Sequence, residues 1–310
     1  AAHAVEVKAR RDYRVGALES RCEHHFNVVL LRPLGGVRQQ AELDARGGAA
    51  RRIGRESREL VHEDRFDHNE LLPLLLGRVE RVAVLHPDLT GWTPKFYHHE
   101  TGENYANTFR VVDGKIQVNY DDYDTFDNRF GHLYYNRPFS AFHLRFTYRF
   151  TDQWMEDAPG YTYRNSGIMF HAQDPKTILK EQDWPVSVEY QILADEGKGP
   201  RPTGNMCSPG THIVYQGALD DQHCISAASE TYPWDQWVQG ELIVYKDSLI
   251  YHVVEGDTVL EYSQPQVGGD VANGYDPAIK VDGTLLKEGF IALQAEGQGI
   301  EFKDIFIREL

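Results

Sequence analysis

Phe142-His143-Leu144-Arg145-Phe146-Thr147-Tyr148-Arg149-Phe150 alternates apolar and polar side chains without a break. A period of two puts Phe142, Leu144, Phe146, Tyr148 and Phe150 on one face of an extended chain and the polar residues on the other. One face suits a core and the other water, the mark of a strand in an antiparallel sheet. Val186-Ser187-Val188-Glu189-Tyr190-Gln191-Ile192-Leu193 repeats the pattern, with Ser187, Glu189 and Gln191 on the polar side. Working outward, similar short runs cover 108–112, 115–120, 166–171, 212–215, 241–245, 249–254, 258–262, 289–294 and 301–309, separated by Gly, Asn, Asp and Pro. Gly256-Asp257 between two such runs reads as a hairpin turn. No strand–helix alternation appears, so a doubly wound α/β fold is excluded. About a dozen strands spaced by turns predict an all-β sandwich or jelly roll.

The chain of 310 residues carries 32 Lys+Arg against 47 Asp+Glu, a net charge of −15. That balance excludes a general nucleic-acid binder, which needs a basic footprint. No apolar run of about 18 residues exists to form a membrane-spanning helix. The charge is unevenly divided. Residues 1–86 hold 14 Arg, one Lys and 13 acids, whereas all five Trp and all but three of the 36 aromatics lie in 87–310. Such a break in composition predicts a boundary near residue 86. The first segment reads as an extension, as a small helical cap built on Leu60-Val61 and 71–76, or as translated sequence upstream of the true start. Residues 1–30 lack the basic start, apolar core and cleavage site of a secretory signal. Cys22 and His24-His25 read as solvated residues rather than a metal site.

The motifs of phosphate-binding loops, dinucleotide folds, zinc proteases and serine hydrolases are absent. The acidic stretch Asp121–Asp127 lacks the spacing and central Gly of a calcium loop and reads as a solvated turn. The Glu-x-Asp-x-x-Glu strand of a glucanase-type jelly roll is also absent, which argues against double-carboxylate hydrolysis of that type. Cys207 and Cys224 lie 17 residues apart in a loop-rich stretch. They read either as a disulfide in an oxidising compartment or as two buried thiols.

Several strings taken together in order and spacing resemble one family: Gly91-Trp-Thr-Pro-Lys-Phe96, Phe130-Gly-His-Leu-Tyr-Tyr135, Tyr163-Arg-Asn-Ser-Gly-Ile-Met169, Pro185-Val-Ser-Val-Glu-Tyr-Gln191, Asn205-Met-Cys-Ser-Pro-Gly-Thr211, His223-Cys224, Asp235-Gln-Trp-Val238 and the ending 289–310. They resemble the 3-keto-disaccharide hydrolase family, also described as 3-keto-glucoside-1,2-lyases and 3-keto-2-hydroxyglucal hydratases. The likeness covers 87–310 and none of 1–86. It implies a concanavalin A-like jelly-roll β-sandwich in a bacterial protein that is periplasmic or secreted. It also implies that Cys207 and Cys224 pair, because the paired-cysteine branch is the one this chain resembles. The implied substrate is a glycoside or disaccharide oxidised at C3, supplied by a separate sugar C3 dehydrogenase. The implied reaction is C2 proton removal, β-elimination at C1 and hydration, with no redox cofactor.

Such chemistry needs a base, a stabiliser for enolate charge and an acid for the leaving oxygen. Glu189 is the expected base, His171 the expected proton shuttle and Arg164 the expected enolate stabiliser. If a divalent ion takes part, Glu189 and His171 are its expected ligands. Asn165, Gln191, Gln294 and Glu296 are expected to hold sugar hydroxyls, with Tyr134, Trp234 and His223 at the rim. Trp184 and Trp237, set in apolar strings, are expected in the core. The chain departs from the family pattern at Ala172 (often Gly), Tyr190 (often Val), Ala295 and Pro233-Trp234, changes that reshape a pocket without removing a polar candidate. The alternative reading is a carbohydrate-binding sandwich without catalysis, since this architecture serves both roles.

Overall fold

A computed structural model describes Val82–Ala83 and residues 88–310. The helical pieces expected at 60–61 and 71–76, and Cys22 and His24-His25, lie outside the described residues. Seventeen strands are described: β1 Val82–Ala83, β2 Trp92–Phe96, β3 Phe109–Val112, β4 Lys115–Val118, β5 Gly131–Tyr135, β6 Ala141–Trp154, β7 Asn165–Ala172, β8 Val188–Leu193, β9 Asn205–Cys207, β10 Thr211–Tyr215, β11 Ala218–Asp220, β12 Cys224–Ile225, β13 Val238–Tyr245, β14 Leu249–Val254, β15 Asp257–Val267, β16 Phe290–Ala295 and β17 Gln298–Glu309. Among the described residues the helical content is three single 3₁₀ turns, at Tyr105–Asn107, Gly160–Thr162 and Pro175–Thr177.

The strands form two antiparallel sheets. One runs β11-β10-β15-β14-β13-β6-β17-β4-β3, with β1 also on β17; the other runs β12-β9-β8-β7-β16-β5-β2. Their apolar faces meet in one core, giving the concanavalin A-like jelly-roll sandwich that the resemblance implies. The alternation in β6 decides this. Phe142, Leu144, Phe146, Tyr148 and Phe150 are all at most 2% exposed. Each fully buried side chain of this size contributes roughly 1.5–3 kcal/mol. From β8, Val188, Tyr190 and Ile192 enter the same core. Tyr190 is accommodated because its hydroxyl donates to the Val253 carbonyl of the facing sheet at 2.9 Å, so the added oxygen is satisfied. β2, at a sheet edge, carries Pro94, which has no ladder hydrogen to donate.

Most boundaries match the sequence runs, with two informative shifts. The hairpin turn falls at Glu255-Gly256, with φ of 50° and 91°, one residue earlier than expected, and Asp257 already belongs to β15. Two successive left-handed residues match the right-handed twist of the paired strands. Trp237, expected in the core, instead lies half-buried beneath the cations of Arg149 (4.5 Å) and Lys303 (4.2 Å). Trp184 is buried in the core as expected.

Candidate active site

On β8, Glu189 and Gln191 point away from the core because Val188, Tyr190 and Ile192 point into it. The flanking strands bring the same face together. Glu189 pairs with Met169 of β7 and Cys207 of β9, and Gln191 pairs with Gly167 and Asn205. Gln294 of β16 and Glu296, just past its end, line the same cavity, while Leu293 and Ala295 are in the core. These polar residues form the floor of a cavity of about 770 Å³. Cys207 and Cys224 form a disulfide between paired strands β9 and β12. That bridge and His223 make one wall. The expected pairing of the cysteines is therefore present.

Gly167 shapes the floor. A Cβ there would stand 2.8 Å from both Cδ and Cγ of Glu189 and closer still to Oε1. The Glu189 side chain thus lies across the bare backbone of β7. It is 5% exposed and makes no hydrogen bond among the described residues. Loss of water alone pushes its carboxyl up to about 8. Glu296 is 3% exposed and its carboxyl is also raised well above the usual carboxylate range, by burial and then by the neighbouring Glu189, with Arg201 pulling the other way. Two carboxyl groups in one cavity, both held toward the protonated form, are the groups that base and acid catalysis need.

Three buried acceptors in the cavity have no partner: Gln294 Oε1, Glu296 Oε1 and Asn165 Oδ1. The orientation of Asn165 is fixed, because its Nδ2 donates to the Tyr161 carbonyl at 3.2 Å. Gln191 Oε1 accepts from Asn205 Nδ2 at 3.0 Å, which leaves its amide hydrogens for a ligand. Buried acceptors without donors are costly, and a polyhydroxyl ligand supplies what they lack. Phe130 and Trp184 add apolar surface beside them, with ring centroids 4.2 Å apart.

The structure does not bring every expected residue to this cavity. His171 carries a left-handed φ of 44° in a bulge where β7 slips against β16. The bulge turns its side chain to the face opposite Glu189. There it bonds the Lys246 carbonyl at 3.0 Å and packs edge-on to Phe142. Burial lowers its proton affinity. Strict alternation along β7 would have set it beside Glu189, and the bulge is why it is not. Glu189 and His171 therefore cannot hold one ion between them. Arg164 donates to the Asp195 carbonyl and lies over the rings of Tyr163 (4.9 Å) and Trp234 (5.4 Å). Arg164 and Trp234 brace each other outside the cavity lining. Tyr134 is fully buried among Met169, Ala172, Ile178 and Ala292 rather than at the rim.

The cation that does line the cavity is Arg201, which sequence reading passed over. One of its terminal nitrogens donates to the carbonyls of Arg164 and Ala194, both at 2.9 Å, and its Nε lies 3.6 Å from Glu196. The available signal was the short Gly199-Pro200-Arg201-Pro202 loop, since site residues concentrate on constrained loops. Sequence reading also passed over Tyr161 and Asp183, which line the cavity. Among the described residues, the one grouping with metal-ligand spacing is Cys207, His223 and Cys224. Both sulfurs there are already bonded to each other and offer no thiolate.

No curated protein matches the chain. Solved structures similar to it include a "putative glycosyl hydrolase" from Parabacteroides distasonis, at 17% identity over 74% of this chain and 100% of that one, TM-score 0.45. A Bacillus subtilis protein of unknown function with a galectin-like fold is 12% identical over 75% and 98% of the two chains, TM-score 0.44. The β-agarase B of Zobellia galactanivorans is 10% identical over 75% and 94%, TM-score 0.41. The model of the 3-keto-alpha-glucoside-1,2-lyase-like domain matches residues 86–308, nearly the whole described sandwich and its cavity, and the chain belongs to that family.

Proposed function

We propose that this domain cleaves glycosides already oxidised to a ketone at C3. The C3 ketone makes the C2 proton acidic. Glu189 takes that proton, and the C2–H electrons form an enolate with C3. As the ketone re-forms, C1=C2 forms and the C1–O bond breaks, with Glu296 giving its proton to the leaving oxygen. Water then adds at C1, giving its proton to the Glu296 carboxylate, and Glu189 returns the proton to C2, so the net result is hydrolysis. Arg201 supplies positive charge toward the enolate, the role expected of Arg164. Gln294, Asn165 and Gln191 hold the sugar hydroxyls. A sugar C3 dehydrogenase must supply the keto substrate, and the disulfide fits an oxidising, extracytoplasmic setting.

The observation that carries this reading is the desolvated Glu189 carboxyl, free of any hydrogen bond, set beside buried acceptors that await donors. A module that only binds neutral sugar gains nothing from a carboxyl held so basic. The test is release of a chromophore from an aryl 3-keto-glucoside by wild type and Glu189→Gln. We expect release that falls at least roughly 100-fold in the variant, the scale of general-base loss. No release from any 3-keto substrate, together with binding of an unoxidised glycan, would leave the carbohydrate-binding module.

A further inference from the structure

Tyr161 lines the cavity from the turn Gly160–Thr162 and is 58% exposed, so its ring is available to whatever enters. The turn that carries it is anchored. The Tyr161 carbonyl accepts from Asn165 Nδ2 on the cavity floor at 3.2 Å. The next residue, Thr162, is fully buried and accepts from Trp154 Nε1 at 3.1 Å. The proton affinity of the Tyr161 hydroxyl is pushed up to about 12 by burial, then by the charges of Glu296 and Asp183, which line the same cavity. The side chain therefore lines the cavity while more than half of its surface stays open to solvent.

Resting on the lyase reading above, we propose that Tyr161 is the stacking platform of an outer subsite that takes the leaving group: a second pyranose or an aryl aglycone. The placement follows from the acid. The leaving oxygen must lie against Glu296, and Asn165 links the Glu296 end of the floor to the Tyr161 turn. Whatever is attached beyond that oxygen is directed to the mouth. The C–H face of a pyranose or the face of an aromatic ring covers the exposed ring of Tyr161, while the inner sugar sits by Trp184 and Phe130. The cavity of about 770 Å³ has room for a two-ring ligand.

The test compares kcat/KM for a 3-keto disaccharide with kcat/KM for a methyl 3-keto-glucoside, which has no outer ring. In Tyr161→Ala the disaccharide preference should fall roughly 3- to 10-fold, the scale of one aromatic stacking contact. Tyr161→Phe, which keeps the ring, should retain it. An unchanged preference in Tyr161→Ala, or an equal loss on both substrates, overturns the subsite. Calorimetry with unoxidised disaccharide and methyl glucoside separates this from the reaction itself. If no keto substrate is turned over, the lyase reading fails. A drop in disaccharide affinity in Tyr161→Ala alone would then still uphold the platform, and equal affinities would overturn it.

Discussion

Gly167 and Glu189 occupy one volume: the carboxyl-bearing arm of Glu189 lies where a side chain at 167 would begin. The backbone of Gly167 is not in the left-handed region, so what is required there is space and not conformational freedom. Gly167→Ala should therefore fold, because the methyl meets the far end of a flexible side chain. It must displace the Glu189 carboxyl toward the cavity centre. We expect kcat on an aryl 3-keto-glucoside to fall at least roughly tenfold, the cost of a misplaced catalytic group. The acid limb of the pH profile should also move to lower pH as the carboxyl gains water. A Gly167→Ala enzyme with wild-type kcat and profile would show that the notch is incidental.

The two carboxyl groups set the pH dependence of activity. Glu189 works as a base only when ionised, and burial places that event near pH 8. Glu296 works as an acid only when protonated, and burial and the neighbouring Glu189 both raise its proton affinity. kcat/KM should therefore climb about tenfold per pH unit below 8 and level off above it, before any fall from loss of the Glu296 proton. A profile already flat from pH 5 would exclude Glu189 as the titrating base.

Stability should run the opposite way. The carboxyl of Glu189 is raised from 4.5 to about 8 on folding, so the folded state holds its proton more tightly. The associated stability is complete below pH 4.5, declines between 4.5 and about 8, and is absent above. The gap corresponds to at most roughly 5 kcal/mol, less wherever cavity water relaxes it. Glu189→Gln should thus match wild type in denaturant melts near pH 4 and exceed it near pH 9. Equal stabilities at pH 9 would mean that the carboxyl is solvated in the folded protein.

How much of this was legible in the sequence depends on period. The alternation of 142–150 and 186–193 fixed which side chains of β6 and β8 are buried, and so identified Glu189, Gln191 and the sandwich. Gln294 and Glu296 followed by the same rule. His171 did not, because a bulge changes the face of every residue beyond it and leaves no mark in an alternating string. Arg201 and Tyr161 were missed because loops carry no period, and their place depends on long-range bonds such as those from Arg201 to the carbonyls of Arg164 and Ala194. Arg164 drew attention as a cation beside Asn165, yet its left-handed backbone, with φ of 50°, sends the side chain to Asp195 and Trp234.

The disulfide couples stability to the cavity wall. Cys207 lies opposite Glu189 and bridges to Cys224 on the sheet-edge strand β12, which is only two residues long. Besides the bridge, Ser208 donates from its backbone and hydroxyl to the His223 carbonyl, and Ile225 enters the core. Closing a loop of this size stabilises a fold by about 3 kcal/mol. Cys207→Ser with Cys224→Ser should lower stability by roughly 2–4 kcal/mol and weaken substrate binding more than it lowers kcat, since the wall and His223 move while Glu189 and Glu296 stay. Thermal melts with and without a reductant, alongside KM and kcat, check this. An unchanged KM would mean that the wall is fixed by other contacts.

His171 separates the geometric reading from the simple alternating one. It is 2% exposed, lies on the core side of its strand, and joins the two sheets through the Lys246 carbonyl. Replacing it with Asn keeps a polar group but shortens its reach. That should cost roughly 1–3 kcal/mol of stability through the unpaired buried carbonyl. Activity per folded molecule, and the pH at which it half-rises, should stay close to wild type, because no atom of His171 reaches the cavity of Glu189. Were His171 the proton shuttle or a metal ligand, His171→Asn would lower kcat at least roughly 100-fold at full folding. Titrating the concentration of folded protein by calorimetry before each rate measurement distinguishes the two outcomes.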